Sequence, residues 1–264
     1  MSFPLATENL CAGYDKHQVI HDVTLTIPAQ KTTIIVGANG SGKSTLLHTL
    51  ARLNPALDGK VLLEGCDLSQ LNRRDIAKRM SFLAQSSPIP DAIKVSALVA
   101  RGRFPWQGLL HQWSPHDEQA VNEALQLTGL TAFKDHPVAA LSGGQRQRCW
   151  IAMTLAQQTP LLLLDEPTTY LDLRYQVEVL TLLQTLTQQH NKTVVMVLHD
   201  LNFALNFADR LLFVKAGKVI AQLDDANDCT AELIEETFGV RTHLVSDPRT
   251  HKPIVVPHWS ANEG

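Results

Sequence analysis

The chain has 264 residues, enough for one packed α/β domain or for a domain carrying an inserted subdomain. Its 44% apolar and 19% charged residues exclude a disordered or fibrous chain. A net charge of −3, with both signs mixed along the sequence, leaves no basic stripe for a phosphate backbone, so nucleic acid is not an expected partner.

The opening residues MSFPLATENL have neither the basic start nor the apolar core of a signal peptide. Val23, Leu25 and Ile27 alternate with Thr24 and Thr26, the period of a half-buried strand. Ile34–Val36 is a short apolar run ending at Gly37; a helix is predicted from Lys43 to about Leu53, and a strand at Val61–Leu63. From about Gln85 to Ala140 the signals turn helical. Ser114-Pro115-His116-Asp117 is a helix start with a serine cap, and Ala120, Val121, Ala124, Leu125 and Thr128 supply its apolar stripe. This segment is expected to be a helical subdomain inserted in an α/β core.

Alternation of strand and helix then returns. Leu161–Leu164 and Thr193–Leu198 read as buried strands. A helix from Asp172 to about Gln189 should place Leu173, Val177, Leu180 and Leu183 on one face. A short helix follows Asp200, and residues 210–223 read as a hairpin turning at Ala216-Gly217. Fully apolar strands between helices indicate a parallel sheet covered on both sides. After Thr230 a short helix and a Pro-rich end carry no legible chemistry. No apolar run reaches the roughly 20 residues of a membrane span. Four dispersed cysteines and eleven histidines form no ligand pattern, which predicts buried thiols in a reducing compartment and a chain kept in the cytosol.

Gly37 to Thr45 (GANGSGKST) fits the phosphate-loop pattern of two glycines five apart followed by Lys-Ser/Thr, and it lies between a strand and a helix as that pattern requires. Glycines let consecutive N–H groups curl around phosphate oxygens, and the helix amino end adds about half a positive charge. Gly37, Asn39, Gly40, Ser41, Gly42, Lys43, Ser44 and Thr45 are therefore candidate nucleotide contacts, for ATP if the chain is an ATPase. Lys43 should reach the β- and γ-phosphates, Ser44 should ligate Mg²⁺, and Thr45 can reach the α-phosphate. Asp165 and Glu166 end the Leu161–Leu164 strand, where ligands of open α/β sheets bind. Asp165 is the candidate metal carboxylate, and Glu166 is the candidate general base for the attacking water.

These two motifs predict an NTPase and no narrower class. Leu141-Ser142-Gly143-Gly144-Gln145, just before the Asp165 strand, resembles the signature of ABC ATPases. Ser142 would cap a helix that runs through Arg146 to Gln157. The resemblance spans residues 5 to about 225. It implies an ABC-type ATPase core with an N-terminal antiparallel β subdomain and an inserted helical subdomain. The implied plan is one domain over 1–264, with core 1–84 and 158–229, helical and signature subdomain 85–157, and C-terminal extension 230–264. In the family, two copies sandwich two nucleotides, so Ser142, Gly144 and Gln145 would meet ATP held by a second copy. The resemblance also implies that Tyr14 stacks on adenine, Gln85 touches Mg²⁺ and water, and His199 contacts the γ-phosphate. Asp172 would stand in the loop that crosses the dimer, although Thr169-Tyr170-Leu171-Asp172 replaces the commoner Ser-Ala-Leu-Asp. A chromosome or repair ATPase would insert heptad arms that are absent here, and a P-loop kinase would lack Leu141–Gln145.

Arg101-Gly102-Arg103-Phe104-Pro105-Trp106, with SGGQRQRCWIAM, DEPTTYLD and HDLN, resembles importer ATPases of the ferric-siderophore branch, with haem or cobalamin import as the alternative. The resemblance implies an integral membrane permease partner, an external substrate-binding protein, and a peripheral position on the cytoplasmic face of the inner membrane. Arg101, Arg103, Phe104 and Trp106 are the expected permease contacts.

Overall fold

The computed structural model describes residues 3–14, 17–85, 92–107 and 112–258. In chain order these form β1 (Leu5–Tyr14), β2 (His17–Ile27), β3 (Thr32–Val36), α1 (Lys43–Leu50), β4 (Ala56–Leu63), the short β5 (Cys66–Asp67), α2 (Arg73–Ala77), β6 (Met80–Leu83), α3 (Val95–Ala100), α4 (Pro115–Leu127), α5 (Gly143–Ala156), β7 (Leu161–Asp165), α6 (Leu173–His190), β8 (Thr193–Val197), α7 (Leu201–Phe207), β9 (Arg210–Lys215), β10 (Lys218–Leu223), α8 (Ala231–Phe238), β11 (Thr242–Ser246) and β12 (Pro253–Pro257). The chain divides into two compact units, Met1–Gly65 with Val195–Gly264, and Cys66–Val194. Parts of the expected helical subdomain, at 86–91 and 108–111, lie outside the described residues, as do both chain ends.

In the first unit β1 pairs antiparallel with β2 and with β4, giving the expected N-terminal antiparallel layer. Leu5, Leu10, Val23, Leu25 and Ile27 of that layer are buried. Strands β3 and β9 pair in parallel from Thr33↔Arg210 to Val36↔Phe213, and β9 turns back antiparallel into β10. The turn sits at Ala216 (φ 46°) and Gly217 (φ 75°), the two positive φ values that a tight hairpin needs. Helix α1 stops at Leu50, short of the expected Leu53. Arg52 adopts φ 57°, its N–H bonds Thr49 O at 3.0 Å, and the Leu53 N–H bonds His48 O at 2.8 Å. These two bonds satisfy the last carbonyls and end the helix.

The C-terminal tail holds more order than its composition suggests. After α8, β11 and β12 form an antiparallel hairpin in register from Thr242↔Pro257 to Ser246↔Pro253. Its prolines stand at the strand ends, where a missing N–H is tolerated, and Asp247 Oδ1 fastens the turn by accepting from the Arg249 and Thr250 N–H groups at 2.7 and 2.9 Å.

In the second unit β6 and β7 are parallel, Met80↔Leu161 to Leu83↔Leu164. Helix α4 starts at the predicted cap: Ser114 and Asp117 form a reciprocal capping box, and the stripe Ala120, Val121, Ala124, Leu125 and Thr128 is buried. It packs with α3 and α5, so the middle of the chain is helical as expected. Helix α6 corrects the expected face. Leu180 and Leu183 are buried, but Leu173 is 69% and Val177 41% exposed, and burial begins only at Val179. In its first turn and a half Tyr175 faces Gly144 of α5, while Leu173 and Val177 stand on the side left exposed.

Among the described residues no helix is long and apolar enough to cross a membrane. All four cysteines are free, and burial pushes the Cys149 thiol up to about 12 and the Cys229 thiol up to about 11. A maleimide at neutral pH is therefore expected to label exposed Cys66 in the native protein and to reach Cys149 and Cys229 only after unfolding, as mass spectrometry of the labelled peptides would read.

Candidate functional site

The first unit carries the phosphate loop. Strand β3 is wholly buried and delivers the chain to Gly37, where an added Cβ would lie 2.1 Å from the Val214 carbonyl oxygen. Only glycine fits that approach of loop to β9. The β9–β10 turn braces the loop from the other side, the Gly217 N–H donating to Ser41 O at 2.8 Å while Gly217 O accepts from His21 N–H at 2.9 Å. Lys43 is buried and folds back into the loop, its Nζ donating to the carbonyls of Gly37 and Ala38 at 2.9 Å each. Gly42 opens helix α1 at φ 105° with no side-chain cap, so a ligand can take that role. Ser41 Oγ is buried without a hydrogen-bond partner. A buried hydroxyl left in this state costs on the order of 1–3 kcal/mol, and a phosphate oxygen would relieve it.

Asn39 and Gly40 are exposed at the tip, and Thr45 is buried one turn into α1. Tyr14 ends β1 with its ring about half exposed, and His199 is exposed immediately after β8 and Leu198. A cavity of about 540 Å³ lies in front of the loop, bounded by Ala38–Ser41, by Lys215 and Ala216, and by Glu235–Gly239 at the end of α8. The contribution of α8 was not legible in the sequence, where the short helix after Thr230 showed no chemistry.

The second unit brings Gln85 and Glu166 together. Asp165 and Glu166 end buried β7 and are themselves buried. Gln85 Nε2 donates to Glu166 Oε2, and Thr169 Oγ1 donates to the same oxygen at 3.0 Å. Glu166 adopts φ 50° directly before Pro167, a left-handed conformation that costs about 1 kcal/mol in a non-glycine residue. The strain turns the carboxylate to where two donors hold it. Thr169 was missed as a partner of Glu166 because a threonine three residues on has no signature of its own.

Ser142 caps α5 as predicted. Its Oγ accepts from Gln145 N–H at 3.3 Å, and Gln145 Oε1 accepts from Ser142 N–H at 3.0 Å. The two signature glycines differ in their reasons. A Cβ on Gly144 would strike the Tyr175 ring at 2.4 Å, whereas one on Gly143 would meet nothing within 4 Å. Asp172 caps α6 through the Tyr175 N–H at 3.1 Å.

The stretch at 101–106 is a 3-10 turn, and it corrects one expectation. Arg103 is not a surface contact: it is 1% exposed and the largest fully buried side chain described. Its Nε bonds Asp117 Oδ1 at 2.7 Å, one terminal nitrogen donates to Ala156 O and Gln158 Oε1, and the other lies 3.2 Å from His116 Nδ1. Arg101 and Phe104 are exposed, and Trp106, 39% exposed, donates its indole N–H to Gln157 O. Burial alone would raise the Asp117 carboxyl, but hydrogen bonds from Ser114 and Arg103 outweigh it and hold the group below its ordinary range.

The family model described as ABC transporter matches residues 20–169. The chain is 46% identical over 253 residues to the ferric enterobactin transport ATP-binding protein FepC of Escherichia coli (strain K12), covering 96% of this chain and 93% of the relative. It is 41% identical over 254 residues to the iron(3+)-hydroxamate import ATP-binding protein FhuC of Bacillus subtilis (strain 168), covering 96% and 94%. Among solved structures, a metal-chelate type ABC transporter in an inward-facing conformation aligns with TM-score 0.85 and 29% identity over 98% of both chains. A dimeric ATP-binding cassette in a post-hydrolysis state, bound to ADP and Pi, aligns with TM-score 0.72 and 28% identity over 83% of this chain and 97% of that one. The fold is thus a P-loop ATPase cassette.

Arg103→Ala is expected to lower the unfolding free energy by about 3–5 kcal/mol, because it strands the buried Asp117 charge; urea unfolding measures it. Since the Asp117 pKa is depressed on folding, its contribution is complete above about pH 4 and fades as pH falls through the lower folded value. The stability gap between wild type and Asp117→Asn should therefore shrink on acidification.

Proposed function

This chain belongs to the ABC transporter family and is an ATP-hydrolysing enzyme; from that premise we propose that it powers ferric-siderophore uptake as the ATP-binding subunit of an importer. The observation that carries the hydrolytic part is Glu166, a buried carboxylate at the end of β7, aimed by Gln85 and Thr169. The cargo reading rests on relatives of 41–46% identity whose names specify ferric enterobactin and iron(3+)-hydroxamate transport.

In this reading Lys43 and the loop amides bind the β- and γ-phosphates, Tyr14 stacks on the adenine, and His199 contacts the γ-phosphate. Glu166 accepts the proton of the attacking water, which Gln85 helps to orient. Mg²⁺ would be held by Ser44, Gln85 and Asp165, all of which offer oxygen donors suited to that hard cation, and it would neutralise charge on the phosphates. The loop's buried, partnerless Ser41 hydroxyl supports the fit to a phosphate oxygen.

Two copies would close with each signature, Ser142 to Gln145, on the other's nucleotide. The open space around Gly143 supports this, as does the apolar run of Tyr170 (92% exposed), Leu173 and Val177 around Asp172, which a second copy would cover. Closure on ATP and parting on ADP would drive an integral membrane permease, with Arg101, Phe104 and Trp106 as its contacts on this chain. An external binding protein would deliver the cargo, and the chain would work peripherally at the cytoplasmic face of the inner membrane.

Glu166→Gln is expected to retain ATP binding, to cut turnover at least about 10²-fold, and to accumulate as a nucleotide-bound dimer in size-exclusion chromatography. Normal turnover would remove Glu166 from the role of base. For the cargo, a strain lacking this chain should lose uptake of a ferric siderophore and regain it with wild type but not with Glu166→Gln. Loss confined to haem or cobalamin would reassign the cargo and leave the ATPase intact.

A further inference from the structure

The C-terminal hairpin grips the helix that follows His199 at both ends. Helix α7 has 7 residues, too few to hold itself in water. In its first turn Asn202 pairs with strand β12: Oδ1 accepts from the Val255 N–H at 2.7 Å and Nδ2 donates to Val255 O at 3.3 Å. One amide side chain thus bonds the strand as a neighbouring strand would. In the last turn Lys252 Nζ donates to Asn206 O at 2.6 Å, placing a cation on the carbonyl end of the helix. A two-stranded hairpin is also marginal alone and gains a partner in α7, which is itself seated by buried Ala204 and Leu205.

His199 stands directly upstream of this clamp. On one side of it the Leu198 N–H bonds Ile35 O of β3 at 3.2 Å. On the other, Asp200 caps α7 by accepting from the Phe203 N–H at 2.9 Å. The peptide carrying His199 is therefore fixed by the sheet before it and by the hairpin, through α7, after it.

We propose that Asn202, bonded to Val255 of the C-terminal hairpin, is a positioning residue for ATP hydrolysis that sets His199 through helix α7. This rests on the reading of His199 as a residue of the hydrolytic step. Asn202 is not among the residues lining the cavity at the phosphate loop. Its amide is open to water, so its loss should cost little folding stability and act instead on the placement of His199. Small misplacements of a reacting group are expensive in rate.

The test is a mutant cycle on the full chain, with steady-state ATP turnover as the readout and circular dichroism to verify folding. His199→Ala should lower kcat. Asn202→Leu should lower kcat about threefold to tenfold while leaving KM for ATP within about twofold. Asn202→Asp keeps the acceptor for the Val255 N–H and should recover most of the rate. In the His199→Ala background, Asn202→Leu should add nothing. An equal loss in both backgrounds, or no loss in wild type, overturns the proposal and leaves the role of His199 standing. Full turnover in His199→Ala alone overturns both. If Asn202→Leu does not fold, Lys252→Met replaces it in the cycle: a loss that disappears with His199 supports the clamp, and no loss, or one additive with His199→Ala, overturns it.

Discussion

The bond from the Gly217 amide to the Ser41 carbonyl, with Lys43 folded onto the carbonyls of Gly37 and Ala38, braces the phosphate loop from both sides. A cradle of backbone amides works only if it does not have to reorganise when charge develops on its ligand. The braces come from distant parts of the sequence. Strand β9 presses on Gly37, and the β9–β10 turn is in turn bonded to His21 of β2. Much of the first unit can be understood as the support of nine residues.

What the sequence made legible follows from how locally each feature is determined. The phosphate loop, the Ser114 and Ser142 caps and the strands ending at Asp165 and Val197 depend on a few consecutive residues, and all appear within a residue of where expected. Features set by distant partners were not legible. Arg103 sits in a segment rich in exposed anchor types, yet Asp117, Ala156 and Gln158 draw its guanidinium inside. Leu173 and Val177 have the period of a buried face, but periodicity says which residues share a side and not whether anything covers it. The tail hairpin escaped notice because Thr242–Ser246 lacks alternation and its partner strand is bounded by prolines.

FepC and FhuC are similarly close to this chain, yet their names specify different iron complexes. ATP-binding subunits of this family thus serve systems with different cargoes, and Phe104 and Trp106 are the contacts proposed for a permease. The buried Arg103 pair and the Trp106 indole bond to Gln157 anchor the turn, so the exposed rings project from a rigid mount.

The left-handed backbone at Glu166 has an evolutionary consequence. Glycine there would relax the chain, and any mutation that frees this turn is favoured by folding and opposed by chemistry. A lineage released from the need for turnover would be expected to drift toward a more heat-resistant, catalytically silent cassette through this one position. A strained glutamate in that position is accordingly better accounted for by the work it does than by the fold it belongs to.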